Sequence, residues 1–264
     1  MIKKHKFTEK RFVSMLNKYN YDLHLGDIVA GTIFNLESQG YLVDIGAHIA
    51  GYLPYDETLL YDNNRPSFKF TDLDNQITRD FFILAYQKHS QQILLSIKRL
   101  DYIRAWKRVK QLHIEDIILN APVINTNKGG IITYVEGLQG FIPKSHLIHT
   151  PEFYSNQKTI KCQLLIIDER SNKLILSNKR AMLALTKDKF KIDLIVEGKI
   201  IAIKTYGVFI EINNIIALLH ISEIGYKYID NLDNLFTIGN YTKVKIIHID
   251  MKQGRLSVTK RGLN

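Results

Sequence analysis

The sequence contains a single cysteine, and this scarcity excludes several classes of protein. Cys162 is alone among 264 residues, so an intramolecular disulfide and every zinc site built from several cysteines are ruled out. Such cysteine usage indicates a reducing compartment. The chain also lacks an apolar run close to the roughly 20 residues that cross a bilayer, and its basic first residues lack the apolar segment of a signal peptide. We therefore expect a soluble protein that is not secreted.

Motifs for enzymatic chemistry are also missing. The sequence contains no Walker phosphate-binding loop, no dinucleotide-binding glycine fingerprint, no paired-histidine zinc helix and no nucleophile elbow. His146 and His149 lie close together, but no further ligand completes a metal site, and a surface-loop pair is the favoured interpretation. We predict no catalysis, no metal, no cofactor and no small-molecule substrate.

Positive charge is what the sequence has in excess. Lysine and arginine total 36 against 26 aspartate and glutamate, which gives a formal net charge of +10 at pH 7. Such a balance favours polyanionic partners, first of all nucleic acid or an anionic membrane surface. Because 45% of the residues are hydrophobic, the chain can form true cores, and its length suits one large domain or two to three small ones.

Three internal repeats organise the chain. A short marker recurs at intervals of roughly 80 residues, and its copies are 95–99 (LSIKR), 176–180 (LSNKR) and 256–261 (LSVTKR). Upstream of each marker, a glycine opens a β-branched or aromatic run, at Gly40, Gly130 and Gly207. A further run follows about ten residues later, as expected for the next strand of a hairpin.

Each repeat is predicted to contain five short strands. In the third repeat they are 199–203, 207–212, 217–220, 243–249 and the marker itself. Five strands are too few for an immunoglobulin-type sandwich but suit a small closed barrel, which removes its strand edges. The predicted fold class is therefore all-β with linker helices, in three tandem five-stranded OB-fold barrels. The variable stretches 56–80 and 222–239 are expected to carry the helix or long loop of that barrel.

Apolar residues at helical spacing separate the repeats. Leu100, Trp106 and Val109 recur among arginines and lysines, which predicts a basic amphipathic linker helix over 100–114. A similar pattern predicts a second linker helix over 181–194. The basic head is either a docking helix or a frayed tail. The predicted division of the remaining chain is head 1–24, first repeat 25–99, second repeat 115–180 and third repeat 195–264.

The third repeat carries residues suited to binding single-stranded nucleic acid. Tyr206 and Phe209 flank the first turn, His220 ends the third strand, and Asp250 and Arg255 bracket the last hairpin. Exposed aromatic rings stack bases, while the basic groups contact phosphates and base edges. The alternative places Phe209 in the core, joins Asp250 to Arg255 in an ion pair and leaves His220 as a strand cap. The set as a whole favours binding, together with the neighbouring lysines Lys204, Lys243 and Lys245.

The same stretches resemble the RNA-binding repeat of the ribosomal protein S1 family. The likeness is carried by 206–209 (YGVF), by 218–222 (LLHIS), and by Asp250 with 254–257 (GRLS). In that family the two aromatics, the histidine, the aspartate and the arginine line the RNA face. The resemblance therefore implies an RNA-binding role for Tyr206, Phe209, His220, Asp250 and Arg255.

The first and second repeats are similar to the first two repeats of that family but lack the RNA signature. Proline-containing segments, 50–54 (AGYLP) and 140–145 (GFIPKS), replace the histidine segment. In large bacterial members such repeats anchor the protein to the ribosome, and the resemblance implies the same docking role here. Tyr41, Tyr52 and Tyr134 could serve equally in stacking or in a core.

The resemblance implies a structural constituent of the small ribosomal subunit that binds single-stranded mRNA and supports translation initiation. Its partners would be mRNA, rRNA and proteins of the small subunit, with no membrane partner. Two alternatives stay open, namely a free RNA-binding chaperone or translation regulator, and an accessory RNA-binding subunit of an RNA-processing enzyme.

The number of repeats and the composition indicate a source. With three repeats the chain resembles the short cyanobacterial and plastid members of the family. Isoleucine, asparagine and lysine are abundant, which indicates an AT-rich genome. Together with the lack of a transit peptide, this favours a protein that is encoded in a plastid and works in the stroma. A bacterial cytoplasm is the alternative.

Overall fold

A computed structural model describes residues 23–47, 49–58, 78–87, 92–225 and 232–263. Strands predominate in these residues and form three sheets in succession, one for each repeat. The predicted all-β class with tandem OB-type repeats is therefore confirmed. The first repeat belongs to one compact unit, Met1–Arg104, and the second and third repeats belong to another, Ala105–Asn264.

The elements are numbered along the chain. The strands of the first repeat are β1 (Ile28–Glu37), β2 (Gly40–Asp44), β3 (Gly51–Pro54), β4 (Thr78–Gln87) and β5 (Gln92–Ser96). Those of the second are β6 (Leu119–Pro122), β7 (Asn125–Asn127), β8 (Gly130–Val135), β9 (Leu138–Pro143), β10 (Thr159–Asp168) and β11 (Lys173–Ser177). Those of the third are β12 (Ile195–Lys204), β13 (Gly207–Ile212), β14 (Ile215–His220), β15 (Tyr241–Asp250) and β16 (Arg255–Thr259). The helices are α1 (Ile97–Ile114), α2 (Pro151–Tyr154) and α3 (Asn178–Leu185), and short 3-10 turns lie at Tyr55–Glu57, Lys144–His146, Lys187–Lys189, Ile221–Glu223 and Leu232–Asn234.

The first and third repeats are closed barrels with the same connectivity. The strand order is β1-β2-β3-β5-β4 in the first and β12-β13-β14-β16-β15 in the third. The long first strand closes each barrel, because its beginning pairs with the fourth strand and its end with the second strand. A β-bulge bends this strand near the point where it changes partner, between Ile33 and Asn35 in β1 and between Ile200 and Ala202 in β12.

The second repeat differs because its first strand is divided. Its strands follow the order β6-β10-β11-β9-β8-β7, and β6 and β7 together correspond to the single strands β1 and β12. Pro122 ends β6, and proline has no N–H to continue the ladder there. The next two N–H groups still bridge the gap, since Val123 donates to the Lys158 carbonyl at 3.0 Å and Ile124 to the Ile132 carbonyl at 3.1 Å.

Each second strand begins with a glycine because a carbonyl of the adjacent strand leaves no room for a side chain. A Cβ added at Gly207 would lie 2.5 Å from the carbonyl oxygen of Leu219. Gly40 and Gly130 face the corresponding carbonyl at the same or a shorter distance. The recurring glycine of the sequence therefore marks a close backbone approach that all three repeats share.

Alternate residues of the strands fill the barrel interiors. In β13 and β14, Val208, Ile210, Ala217 and Leu219 are fully buried, and they pack with residues of β15 and β16 in one core. The residues between them along the same strands are partly exposed. One side of each strand therefore forms the core, and the other side forms the surface that a ligand can reach.

Helix α1 exposes basic residues and buries an apolar stripe. Trp106 and Val109 are buried, whereas Lys107 is exposed. The helix begins at Ile97 rather than at residue 100, because the serine of the marker is its N-terminal cap. The hydroxyl oxygen of Ser96 accepts the N–H of Arg99 at 2.7 Å. The marker therefore joins the end of a strand to the start of a helix.

The second connector contains less helix than the sequence predicts over 181–194. Helix α3 ends at Leu185 and a 3-10 turn follows at Lys187–Lys189. The Thr186 hydroxyl donates to the Met182 carbonyl at 2.8 Å, and such side-chain bonding competes with continuation of the helix.

Some predictions concern residues outside the described part of the chain. The basic head is described only from residue 23, and the variable stretch 56–80 only at 56–58 and 78–80. In the third repeat, the described residues near 222–239 contain the 3-10 turns Ile221–Glu223 and Leu232–Asn234.

Candidate nucleic-acid interface

The outer surface of the third repeat is formed by residues that alternate with its core. The strand register aligns one outward residue from each strand in a central row: Ala202, Phe209, Leu218, Ser257 and His248. Each of these residues is at least partly exposed, whereas the residues that flank them in β13, β14 and β16 are buried. The central row therefore crosses the whole barrel on the side away from the core.

Tyr206 and Phe209 present two aromatic rings on this surface. Their ring centroids are 6.1 Å apart and their planes make an angle of 88°, so the rings meet edge to face. Tyr206 is 50% exposed, and Phe209 lies between the buried residues Val208 and Ile210 on the outer side of the strand. Phe209 does not belong to the core, which removes the alternative considered for it.

His220 lies next to the aromatic pair. The Tyr206 carbonyl accepts the N–H of Ile221 at 3.0 Å, which holds the two turns together. The exposed His220 side chain caps the next 3-10 turn, because its Nδ1 accepts the N–H of Ser222 at 3.3 Å and lies 2.8 Å from the Ser222 hydroxyl. Since Nδ1 is used as an acceptor, Nε2 is the nitrogen that can donate to a ligand.

Asp250 and Arg255 face each other in the hairpin between β15 and β16. The carboxylate of Asp250 accepts the backbone N–H groups of Lys252 and Gln253, both at 3.0 Å, and so shapes the turn. Within the described residues it forms no ion pair with Arg255, so the strand-end ion pair considered as an alternative is not formed. Arg255 is exposed, and its guanidinium can reach a phosphate or a base edge.

The three candidate lysines lie in different surroundings. Lys204 is exposed at the end of β12, beside the turn that carries the aromatic pair. Lys243 and Lys245 pair with the first half of β12, where Lys243 faces Glu197. The ammonium of Lys245 forms an ion pair with Asp193 at 3.4 Å. The structure therefore brings Lys204 to the aromatic pair and gives the other two lysines acidic neighbours.

The candidate residues form an elongated strip rather than one compact cluster. The parallel register of β14 and β16 places Ile216 level with Arg255, because the next residues, Ala217 and Leu256, are partners. His220 lies at the opposite end of β14, a distance of roughly 13 Å at about 3.3 Å per residue. Tyr206 and His220 thus occupy one end, Arg255 occupies the other, and Phe209 lies between them in the central row.

Apart from Phe209, the sequence analysis missed the middle of this strip. Leu218, Ser257 and His248 lie in the central row beside Phe209, and none of them belonged to the candidate set. The period-two alternation of β14 gives a signal for Leu218, which is two residues before His220. Ser257 and His248 are brought in by pairings between distant strands, and a single sequence does not give that register.

Comparisons with known proteins match both the third repeat and the whole chain. The family described as S1 RNA binding domain matches residues 189–261, which include β12 to β16. Over the whole chain, small ribosomal subunit protein bS1c of Pyropia yezoensis is 47% identical, covering 97% of this chain and 97% of that protein.

The chain belongs to the ribosomal protein bS1 family. The bS1c protein of Porphyra purpurea is 46% identical over 97% of both chains. The bS1A protein of Synechocystis sp. is 40% identical over 97% of this chain and 78% of its own length. The resemblance identified in the sequence is therefore confirmed, and the third repeat is the S1 RNA binding domain of this bS1 family member.

In the other two repeats of this bS1 chain, the rows that correspond to the central row are apolar except at the first strand, where Asn35 and Asn125 take the place of Ala202. In the second repeat the register aligns Ile132, Phe141, Ile175 and Ile166. In the first repeat it aligns Leu42, Tyr52, Leu94 and Ala85. Proline takes the place of His220 in both, at Pro54 and Pro143. The three repeats therefore share one order of corresponding strands but differ in the side chains on their outer surfaces.

Other reactive groups of this bS1 family member are structural. Burial raises the pKa of the Cys162 thiol to about 12, so the side chain stays protonated at neutral pH. The described residues contain no group of three or more His, Cys, Asp or Glu side chains arranged to hold a metal ion. In the same part of the chain, no helix is long and apolar enough to cross a membrane.

Proposed function

We propose that the outer surface of the third repeat binds single-stranded RNA. The observation that carries the proposal is the edge-to-face pair of the exposed Tyr206 and the partly exposed Phe209, beside the exposed side chains of His220 and Lys204. Unpaired bases stack on such rings with about 1–3 kcal/mol per base. The match of this repeat to the S1 RNA binding domain supports the same role.

Charged groups add affinity with little sequence preference. Lys204 and Arg255 contact phosphates at the two ends of the strip, and His220 donates from Nε2 to a phosphate oxygen or a base edge. Asp250 acts through the turn that presents Arg255. Lys243 and Lys245 add less, because Lys243 faces Glu197 and the ammonium of Lys245 forms an ion pair with Asp193. Affinity falls as salt rises.

RNA without secondary structure is the preferred substrate class. Its bases stack on the aromatic pair without the cost of opening base pairs, so pyrimidine-rich or A/U-rich segments bind best. The surface therefore suits the unpaired region of an mRNA around its start site.

The protein acts as a component of the small ribosomal subunit, the assembly that the names of its bS1 relatives state. The first and second repeats dock on ribosomal protein or rRNA. Four of the five residues in each of their rows are apolar, which supports this role because apolar surface suits a protein partner better than a phosphate backbone. The third repeat then holds mRNA close to the subunit. Such tethering raises the local concentration of mRNA and supports initiation of translation.

The compartment is the plastid stroma, and the gene belongs to the plastid genome. Similarity to the plastid bS1c proteins supports this location, and the abundance of isoleucine, asparagine and lysine supports an AT-rich organellar genome. A bacterial cytoplasm is the second candidate, because the bS1A protein of Synechocystis sp. is 40% identical.

The role is binding and needs no catalytic activity or cofactor. Labelled RNA incubated with the protein and magnesium is therefore expected to remain intact on a denaturing gel. Cleavage that persists in a highly purified sample and disappears with a single substitution would contradict a purely binding role.

Fluorescence anisotropy of labelled RNA with the full-length protein tests the RNA surface. We expect single-stranded RNA to bind and the affinity to fall with rising salt, whereas a duplex of the same length binds less tightly. Equal affinity for the single strand and the duplex would contradict stacking of unpaired bases.

Sedimentation of a lysate tests membership of the ribosome. A ribosomal component co-sediments with the small subunit, while a free RNA chaperone stays in the light fractions. An accessory subunit of a processing enzyme would instead follow that enzyme's nuclease activity through the gradient.

A further inference from the structure

The second and third repeats meet where the last hairpin of the third repeat packs against the start of α3. Gly254, in that hairpin, has a φ of +66°, and a Cβ added to it would lie 2.5 Å from the backbone nitrogen of Arg180 and 2.8 Å from the carbonyl carbon of Lys179. Arg255 follows directly in the chain. One end of the proposed RNA strip therefore lies at the junction of two repeats.

Two further basic side chains lie at this junction. The ammonium of Lys179 donates to the carbonyl of Ser145 at 2.7 Å, which holds it over the 3-10 turn Lys144–His146. The His146 ring belongs to the same turn, and its Nδ1 lies 3.1 Å from the Ser177 hydroxyl. Arg255 from the third repeat completes a group of three basic side chains from three separate elements.

These groups raise one another's electrostatic energy. Burial and the positive charge of Arg255 lower the pKa of Lys179. Burial and the charges of Lys179 and Arg255 lower the pKa of His146. Like charges in partly buried surroundings repel each other, and a bound anion would remove that repulsion.

The hydrogen bonds of His146 fix which ring nitrogen can contact a ligand. The Ser177 hydroxyl oxygen accepts the N–H of Arg180 at 3.1 Å, so its own hydrogen can point to Nδ1 of His146. A neutral ring then carries its hydrogen on Nε2. His146 therefore offers an uncharged donor beside the ammonium of Lys179 and the guanidinium of Arg255.

We propose that Arg255, Lys179 and His146 form a phosphate-binding site at the junction of the second and third repeats, and that it takes a backbone phosphate of RNA leaving the third repeat. This inference rests on the proposed RNA-binding function and extends the RNA path beyond the S1 RNA binding domain. Arginine supplies a planar fork, lysine a point charge and histidine a neutral donor, a combination that suits one phosphate group.

RNA length separates this site from the aromatic strip. An RNA of about 4 nucleotides can occupy the strip alone, whereas one of about 12 nucleotides can reach the junction as well, within the usual range of site sizes for this fold. A contact at the junction should therefore matter for the long RNA and not for the short one.

The experiment compares full-length variants by anisotropy of labelled oligouridine of both lengths, over a series of salt concentrations. Lys179→Gln is expected to weaken binding of the long RNA several-fold and to reduce the slope of log K against log salt by about 0.7 to 1, with the short RNA unaffected. Lys187→Gln is the matched control, since it removes an exposed lysine from the same connector. This variant should bind the long RNA and the short RNA as tightly as the unmodified protein does.

Two further variants test whether an effect of Lys179→Gln comes from the lost contact or from a disturbed fold. Lys179→Arg keeps the charge and should restore the salt slope. His146→Phe keeps a ring but removes the hydrogen-bond donor, and it should weaken binding of the long RNA but not of the short RNA. Thermal unfolding of each variant shows whether the fold is retained.

The outcomes distinguish this inference from the proposed function. If Lys179→Gln leaves the salt slope of the long RNA unchanged, or weakens both RNAs equally, the junction site is wrong. If Phe209→Ala still weakens binding of the short RNA in that case, the proposed RNA-binding role of the strip is retained. If Phe209→Ala affects neither RNA, the proposed function itself fails.

Discussion

The guanidinium of Arg180 is buried and donates to the carboxylate of Asp116. Its other terminal nitrogen donates to the Leu164 carbonyl at 2.8 Å. Asp116 precedes the first strand of the second repeat and Arg180 follows its last strand in α3, so this contact joins the two ends of the repeat. The compact unit Ala105–Asn264 is therefore held by a polar contact as well as by its apolar cores.

Replacing Asp116 by asparagine should destabilise this unit. Asparagine tolerates the positive φ of +50° at this position, but it leaves the buried Arg180 without its charged partner. We expect the free energy of unfolding to fall by about 1–2 kcal/mol, measured by urea titration with the fluorescence of Trp106, the only tryptophan. Glu115→Gln is the control, and an equal effect of both substitutions would contradict the role of the ion pair.

Removal of either ring of the aromatic pair should weaken RNA binding without loss of the fold. Tyr206→Ala and Phe209→Ala each remove a stacking surface, which is worth about 1–3 kcal/mol of binding free energy per base. Anisotropy with single-stranded RNA measures the loss. Tyr241→Ala removes a ring that is 67% exposed outside the central row, and this control should bind RNA as tightly as the unmodified protein.

The centre of the strip can be tested at His248. This exposed residue neighbours Ser257 in the central row, so a negative charge there should repel phosphates that pass over the strip. We expect His248→Glu to lower RNA affinity several-fold at low salt, with a smaller difference at high salt because of screening. His248→Gln is the neutral control. Equal affinity of both variants at low salt would place the RNA elsewhere.

A side chain at Gly254 should disturb the contact between the second and third repeats. Gly254→Ala adds strain at positive φ and a clash with the backbone of Arg180. Gly239 also has a positive φ, +96°, but no atom lies within 4 Å of an added Cβ, so Gly239→Ala isolates the strain of about 1 kcal/mol. We expect Gly254→Ala to lower the unfolding temperature by several degrees more than Gly239→Ala does.

The Cys162 thiol should make the fold sensitive to alkaline pH. Its pKa is about 12 in the fold against an ordinary value of 9.0, because burial disfavours the thiolate. A raised pKa means that the thiol contributes stability that is complete below pH 9 and is lost as the pH rises towards 12.

Comparison with Cys162→Ala isolates that contribution from other groups that titrate at high pH. Above pH 9, the unmodified protein should lose stability relative to Cys162→Ala. Its free energy of unfolding should fall by up to about 1.4 kcal/mol more per pH unit than that of the variant. Urea titrations between pH 8 and 11 measure it. A constant difference over this range would contradict the buried neutral thiol.

Local pattern was enough to predict the second strands of the repeats. The bounds of β13, Gly207–Ile212, are those predicted from the sequence, because the glycine and the β-branched residues after it are determined by contacts within one hairpin. The long first strand was predicted too short in the third repeat, since its beginning is extended only by pairing with the distant β15. The second repeat has six strands instead of the predicted five, because its first strand is interrupted after Pro122.

The candidate site shows the same limit. Tyr206, Phe209 and His220 stand close in sequence or in a familiar motif, and they could be chosen without the structure. The proximity of Arg255 to Lys179 comes from packing between two repeats. No periodicity within either repeat carries that information, and only the folded unit brings the two side chains together.

The bulged first strands affect how three similar repeats fold independently within one chain. A strand that pairs with one neighbour along its first half and with another along its second half leaves no unpaired edge in the closed barrels. An open edge on one repeat would be a template for the matching strand of the next, and exchange of strands between like neighbours is a known failure of tandem repeats. During synthesis, an early barrel that has closed cannot accept strands from a later one. Barrel closure in the first and third repeats thus keeps their assembly independent of the similar strands in the neighbouring repeat.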